Sequence, residues 1–288
     1  MSKQITVGYD GSAPSSEAVL WAADEAVARS ASLRIVSCNQ LPLAGDLALG
    51  WAATETFASL LETSEAGLAL ARSTVGNVHP ELAVTTESFM EPAGPALVEG
   101  AEPDELIVVG ASHHEGAAAF WLGSTARYVV RHSPCPVVVV RGAASRGKPD
   151  RIVVGVDGSP ASERALQWAA DEADRHAVDL LVVHSWLYPY LSMDAPPSPA
   201  RDLTEVDAGC LLDSAVESAR EKCSSDVVGQ LVESGPATGL LATVRDGDLL
   251  VVGSRGRGAV TSGLFGSTVN SLLDRCAIPV VVVRGADD

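Results

Sequence analysis

Gly253, Gly256 and Gly266 stand in the spacing Gly-x2-Gly-x9-Gly, and Ser267 and Thr268 follow the last of them. The apolar run Leu249–Val252 leads into the first glycine, and Val269-Asn270-Ser271-Leu272-Leu273, at helical spacing, follows the last pair. A buried strand, a glycine-rich loop and a helix entered through Gly-Ser-Thr can hold an anion. The first N–H groups of the helix point outward, and glycines let a phosphate come close to the backbone. Arg255, between the first two glycines, adds a cation. Two familiar phosphate loops are excluded. No lysine precedes Ser267, as GxxxxGK[ST] requires. The stretch from Gly256 to Gly266 is also too long for GxGxxG, which opens its helix directly after the strand. Taken alone, the stretch reads equally well as a plain strand-to-helix connection.

The elements that would position this loop occur twice. Ile5-Thr6-Val7-Gly8-Tyr9-Asp10-Gly11-Ser12 returns as Ile152-Val153-Val154-Gly155-Val156-Asp157-Gly158-Ser159. Trp21-Ala22-Ala23-Asp24-Glu25-Ala26 returns unchanged from Trp168 to Ala173. Leu106-Ile107-Val108-Val109-Gly110 matches Leu249 to Gly253, and Gly123-Ser124-Thr125 matches Gly266-Ser267-Thr268. Pro136 to Gly142 matches Pro279 to Gly285. The chain of 288 residues is a duplicated unit, with domains over 1–142 and 150–288 and a polar linker over 143–149. In the first copy the pattern predicts strands over 5–9, 33–38, 82–87, 106–109 and 136–140. It predicts helices after Ser12 and over 56–75, 95–99 and 125–132, with a longer loop over 41–55. Continuous β-branched strands alternating with helices imply a parallel sheet covered on both faces. Each unit is therefore expected to be a doubly wound, five-stranded parallel α/β sheet, Rossmann-like; the order expected for it is 3-2-1-4-5. Ligands of such sheets bind beyond the strand C-termini at the switch point, between the first and fourth strands. Asp10 and Asp157 end the first strands, and Gly110 and Gly253 end the fourth.

Composition narrows the class. The net charge of −17 argues against general binding of nucleic acid or anionic membranes. No apolar run approaches the ~20 residues of a membrane helix, and the N-terminus shows no signal-peptide pattern. The cysteines Cys38, Cys135, Cys210, Cys223 and Cys276 are scattered, with no CxxC pair, so they suggest neither a metal site nor a disulfide framework. The expected setting is the cytoplasm, with reduced thiols.

The loop spacing, and the way it is repeated over nearly the whole chain, resembles the ATP-binding loop of the universal stress protein family. The chain is similar to its tandem members, common in actinobacteria. The resemblance implies the adenine nucleotide alpha hydrolase-like form of the fold, and one ATP per unit, with Mg2+ a possible companion. It places Asp157 at the adenosine end and the backbone of Val183, on the second strand, against adenine. Gly253, Arg255, Gly256, Gly266, Ser267 and Thr268 would surround ribose and phosphates. The first copy keeps Asp10, Val36, Gly110, Gly123, Ser124 and Thr125 but has His113 where Gly256 stands. Ser112 replaces Arg255, Glu115 replaces Gly258 and Phe120 replaces Gly263. The first loop is thus degenerate and the second intact. The resemblance also implies an intrachain pseudo-dimer, with the four-valine strands 136–140 and 279–283 pairing antiparallel. Association of two chains fits the pattern, but no single residue specifies it.

Blander roles remain for several residues. The two Asp-Gly-Ser runs suit turns and helix caps. Trp21 and Trp168 fit a core, His184 a hydrogen-bonded core role at a strand end, His113 and His114 an exposed loop, and Asp24-Glu25 and Asp171-Glu172 solvated helix faces. No Ser-His-Asp order or HExxH motif stands out, and the loop supplies no evident base for phosphoryl transfer. The expectation is a nucleotide-binding regulator and not an enzyme. A nucleotide-free scaffold of the same fold and a slow ATPase are the alternatives.

Overall fold

The computed structural model describes residues 4–39, 50–111, 122–141, 147–187, 199–256 and 266–284; for 50–60 and 199–204 it describes the backbone course alone. The chain divides into two compact units at Gly147–Lys148. In the first, β1 (Gln4–Gly8), α1 (Ala13–Arg29), β2 (Ser32–Cys38), α2 (Gly50–Val78), β3 (Val84–Phe89), α3 (Ala93–Val98), β4 (Leu106–Gly110), α4 (Ser124–His132) and β5 (Val137–Val140) alternate. The second repeats them as β6 (Arg151–Val156), α5 (Pro160–His176), β7 (Asp179–Trp186), α6 (Pro199–Arg220), β8 (Val227–Glu233), α7 (Pro236–Thr243), β9 (Asp248–Gly253), α8 (Ser267–Arg275) and β10 (Val280–Val283). Strand neighbours run β3-β2-β1-β4-β5 in the first unit and β8-β7-β6-β9-β10 in the second. Every described pairing within a unit is parallel. The expected order 3-2-1-4-5 is therefore present twice.

The apolar strands fill the core. Ile5, Val7, Leu33, Ile35, Ile107 and Val138 in the first unit, and Ile152, Val154, Leu180, Val182, Leu250 and Val281 in the second, are almost wholly buried. Small residues let the first helix of each unit lie close on its sheet: Ala18, Ala22, Ala23 and Ala26 of α1, and Ala165, Ala169, Ala170 and Ala173 of α5, are buried. Trp21 is also in the core, whereas Trp168, expected there too, is half-buried.

Three elements differ from the sequence reading by more than one residue at a boundary. The helix expected over 56–75 runs from Gly50 to Val78. Its first two turns include Ala52, Ala53 and Glu55 with no proline to halt winding, and it ends just before His79-Pro80, where a residue preceding proline disfavours helix. The third strand starts at Val84, because the Leu82 N–H closes a turn on the His79 carbonyl (3.1 Å). The short third helix starts at Ala93 and ends at Val98. A fourth difference concerns charge. Glu25 and Glu172 are buried, not solvated. The Glu25 carboxylate accepts from Arg29 one turn on, and Glu172 from Arg175, with His176 Nε2 at 3.0 Å from its other oxygen. Basic partners in the last turns of α1 and α5 let these carboxylates turn inward.

Candidate functional site

The first strand of each unit ends in a turn built by its own side chains. Asp10 Oδ1 accepts the Ser12 N–H and Asp157 Oδ1 the Ser159 N–H, both at 3.0 Å. Between them Gly11 and Gly158 take φ of +80° and +71°, which side-chain-bearing residues rarely adopt. Ser12 and Ser159 then cap α1 and α5, each accepting the N–H three residues on at 3.3 Å. The turn-and-cap role foreseen for the Asp-Gly-Ser runs is present in full.

The fourth strand comes down onto these helix starts. A Cβ at Gly253 would lie 2.7 Å from the Ala161 carbonyl carbon and 2.9 Å from the Ser162 nitrogen. At Gly110 it would lie 2.5 Å from the Pro14 oxygen. These neighbours are backbone and can yield only if the helix moves. Gly253→Ala should therefore lower stability by about 1–3 kcal/mol, read as a fall in the urea midpoint with an unchanged slope; an unaltered midpoint would contradict the packing.

Beyond Gly253 the chain is pinned at both ends of the glycine-rich loop. The Ser254 N–H donates to the Val283 carbonyl at 2.8 Å, and Ser159 Oγ donates to the Arg255 carbonyl at 3.2 Å. Gly256 then passes directly over Asp157, where any Cβ would collide with Oδ2. The far end returns at Gly266, whose N–H meets the Ser254 carbonyl at 3.4 Å. Residues 257–265, and with them Gly258 and Gly263, lie outside the described residues.

From Gly266 the chain enters α8, and from Gly123 it enters α4. Neither N-cap supplies a side-chain hydrogen bond, in contrast to the serines that cap α1 and α5. The opening N–H groups of α8, at exposed Ser267 and half-buried Thr268, therefore face the pinned loop without a cap of their own. This fits a phosphate in two respects: the helix end carries partial positive charge, and the glycines leave room beside the backbone.

Asp157, Gly253, Arg255, Gly256 and Gly266 are thus brought together by direct contacts, with Ser267 and Thr268 adjoining. Asp10 and Gly110 are held around the start of α1, and Gly123, Ser124 and Thr125 open α4. His113 and its neighbours Ser112, His114, Glu115 and Phe120 fall outside the described residues. Val36 and Val183 sit inside the ladder, in register with Gly8 and Gly155, each about 1% exposed. The Val36 carbonyl is taken by the Tyr9 N–H (2.8 Å). The second strand continues past these positions, and among the described residues two buried polar atoms there have no hydrogen-bond partner: Asn39 Nδ2 after β2 and Ser185 Oγ in β7. Sequence reasoning passed over both; the available signal was a polar residue ending an apolar strand on the ligand side of the sheet. His184 Nδ1 donates to the Val156 carbonyl at 2.7 Å, the hydrogen bond foreseen for it, but the residue is half-buried and not in the core.

Asp10 is exposed as a residue, but its carboxylate accepts the Ser12 N–H, and its own backbone N–H donates to Ser15 Oγ at 3.3 Å. Partial burial pushes its pKa up, yet the hydrogen bonds from Ser12 and Ser15 outweigh this and hold it below the ordinary 3.8. A depressed native pKa stabilises the fold above the unfolded value and loses that stabilisation as pH falls through the native one. Stability should drop as pH is taken below 3.8, and Asp10→Asn should flatten part of that drop. Identical pH profiles in urea titrations of the two proteins would refute this.

Comparison with known proteins accords with this geometry. The sequence pattern of the universal stress protein family matches residues 1–141 and again 149–284. The chain belongs to the universal stress protein family. A universal stress protein of Mycolicibacterium smegmatis is 33% identical over 292 residues, covering 97% of this chain and 96% of its own. One from Mycobacterium tuberculosis is 32% identical over 291 residues, with the same shares. The crystal structure of a universal stress protein from Archaeoglobus fulgidus superimposes with a TM-score of 0.69 over 99% of both chains. At 19% identity that likeness is one of fold.

Proposed function

We propose that the second unit binds an adenine nucleotide, ATP, and that the protein acts as a non-catalytic regulator in the stress response of the cytoplasm. The observation that carries this reading is the pinned loop. Gly256 is seated on Asp157, Gly266 returns to Ser254, and the uncapped start of α8 opens beside them. In this reading the backbone N–H groups of Gly256, Ser267 and Thr268 hold the phosphates, Gly266 leaves them room beside the backbone, and Arg255 is their counter-charge. Gly253 lets β9 meet α5 closely enough to seat the loop. Asp157 and the strand around Val183 face the adenosine end. In the first unit Asp10, Val36, Gly110, Gly123, Ser124 and Thr125 offer a similar frame, with His113 in place of the second loop glycine.

The described polar groups near the loop are engaged in turns, caps and loop closure, which favours holding a nucleotide over turning it over. The deciding experiment is mass spectrometry of nucleotide released on denaturing the purified protein, with calorimetry of ATP and Mg2+ on nucleotide-stripped protein. Recovery of ATP, or tight binding after stripping, supports the reading. Neither recovery nor binding would favour a nucleotide-free scaffold, and ADP accumulating from bound ATP would indicate a slow ATPase.

A further inference from the structure

At one end of each unit's sheet a strand has a single neighbour: β3 beside β2, and β8 beside β7. The registers Leu33↔Val84 and Leu180↔Val227 make the two edges equivalent position by position. The edge of β3 is guarded by charge. Glu87 pairs with Arg34 at 2.6 Å, and the Arg34 guanidinium lies 5.7 Å from the centre of the Phe89 ring. At the equivalent places β8 carries Gln230 for Glu87 and Val228 for Thr85. Val228 is 55% exposed, and no residue from Val227 to Val232 is charged. Sheet edges are ordinarily protected by charges, proline or cover, and an unguarded edge is a template for another strand.

The backbone of β8 is set for such pairing. The Leu180 N–H donates to the Asp226 carbonyl, so even-numbered residues of β8 bond to β7, and Gly229 and Leu231 direct N–H and C=O outward. Among the described residues none takes these outward groups. The outward carbonyl of Val227 accepts from Arg220 Nη2 at 3.0 Å, which places a cation at the start of the edge, and Glu233 places an anion at its end.

We propose that β8 is the surface on which two copies of this chain join, antiparallel, across a two-fold axis through Gln230. In this register Gly229 faces Leu231 of the second copy and exchanges two hydrogen bonds with it, four over the pair. Val228 lies opposite Val232, and Gln230 opposite itself. Each Arg220 arrives beside Glu233 of the second copy, a charge match that a parallel arrangement does not give. Two copies of a chain of net charge −17 repel one another, and the uncharged stretch from Val227 to Val232 lowers that cost at this edge.

Light scattering of the full chain after gel filtration tests the proposal. The expected mass is twice 29.7 kDa, falling to one copy in Val228→Lys/Gln230→Lys and unchanged in Thr85→Lys. Far-ultraviolet dichroism should show all three folded. In a Cys210→Ser background, Gln230→Cys should oxidise to a covalent dimer, because a non-hydrogen-bonded antiparallel pair brings Cα atoms to about 4.5 Å, within reach of a disulfide. Val232→Cys, opposite Val228, should not. A monomeric wild type, a dimer that survives the two lysines, or a dimer in which Gln230→Cys fails to cross-link would overturn it.

Discussion

Gly266→Trp should abolish ATP binding by the second unit while leaving the protein folded. Gly266 has φ −58°, a value open to any residue, so the fold does not require glycine there. A Cβ would come no closer than 3.9 Å to Arg255 Cα, the Gly256 nitrogen and the Ser254 carbonyl oxygen. That space lies between the two ends of the loop, where a phosphate would meet the backbone, and an indole would fill it. Losing two charge-assisted hydrogen bonds of about 1.5–3 kcal/mol each weakens binding by roughly 100- to 10,000-fold. Arg255→Ala, which removes one such contact, should cost only about 10- to 100-fold. Calorimetry with ATP, with thermal melts as the control for folding, measures both. Wild-type affinity in Gly266→Trp would show that the loop is not the site.

ATP should titrate to about one tight site per chain. The second loop keeps Arg255 and Gly256, and the first has Ser112 and His113 at those places, with Glu115 adding a negative charge. The structure gives this difference a physical meaning. The volume left free at Gly256 is bounded by Asp157 Oδ2, so a side chain there must displace the carboxylate assigned to the adenosine end. Asp157 is half-buried under this contact, whereas Asp10 is exposed. The first unit should bind more weakly by about 10- to 100-fold, prefer a less charged nucleotide, and gain affinity at lower pH if His113 or His114 meets the phosphates as a cation. Copying the first loop into the second, as Arg255→Ser with Gly256→His, should erase the tight site. Two equal, tight sites in the wild type would refute the asymmetry.

The sheet order was legible because buried parallel strands are written as uninterrupted β-branched runs and because the chain states each run twice. Ile5–Val7 and Ile152–Val154, for example, have the same length, the same neighbours and the same burial. The glycine spacing was legible too, but its reasons were not. Gly253 is needed for packing against α5, Gly256 for its place over Asp157 and Gly266 for neither backbone angle nor fold. The inward turn of Glu25 and Glu172 escaped a one-dimensional reading, since Asp24-Glu25 looks solvated until Arg29 is seen closing over the carboxylate. Asn39 and Ser185 escaped for a similar reason: a missing hydrogen-bond partner is a property of space, not of spacing.

The different surroundings of Gly253 and Gly256 bear on how a duplicated gene ages. At Gly110 and Gly253 the space a side chain would need is filled by helix backbone, and both copies have kept glycine. At Gly256 it is filled only by the end of a movable carboxylate, and the first copy has histidine there instead. Drift at the first kind of position breaks the unit, whereas drift at the second alters only what the unit can hold. A tandem chain can therefore lose a glycine of the second kind without losing the half that carries it.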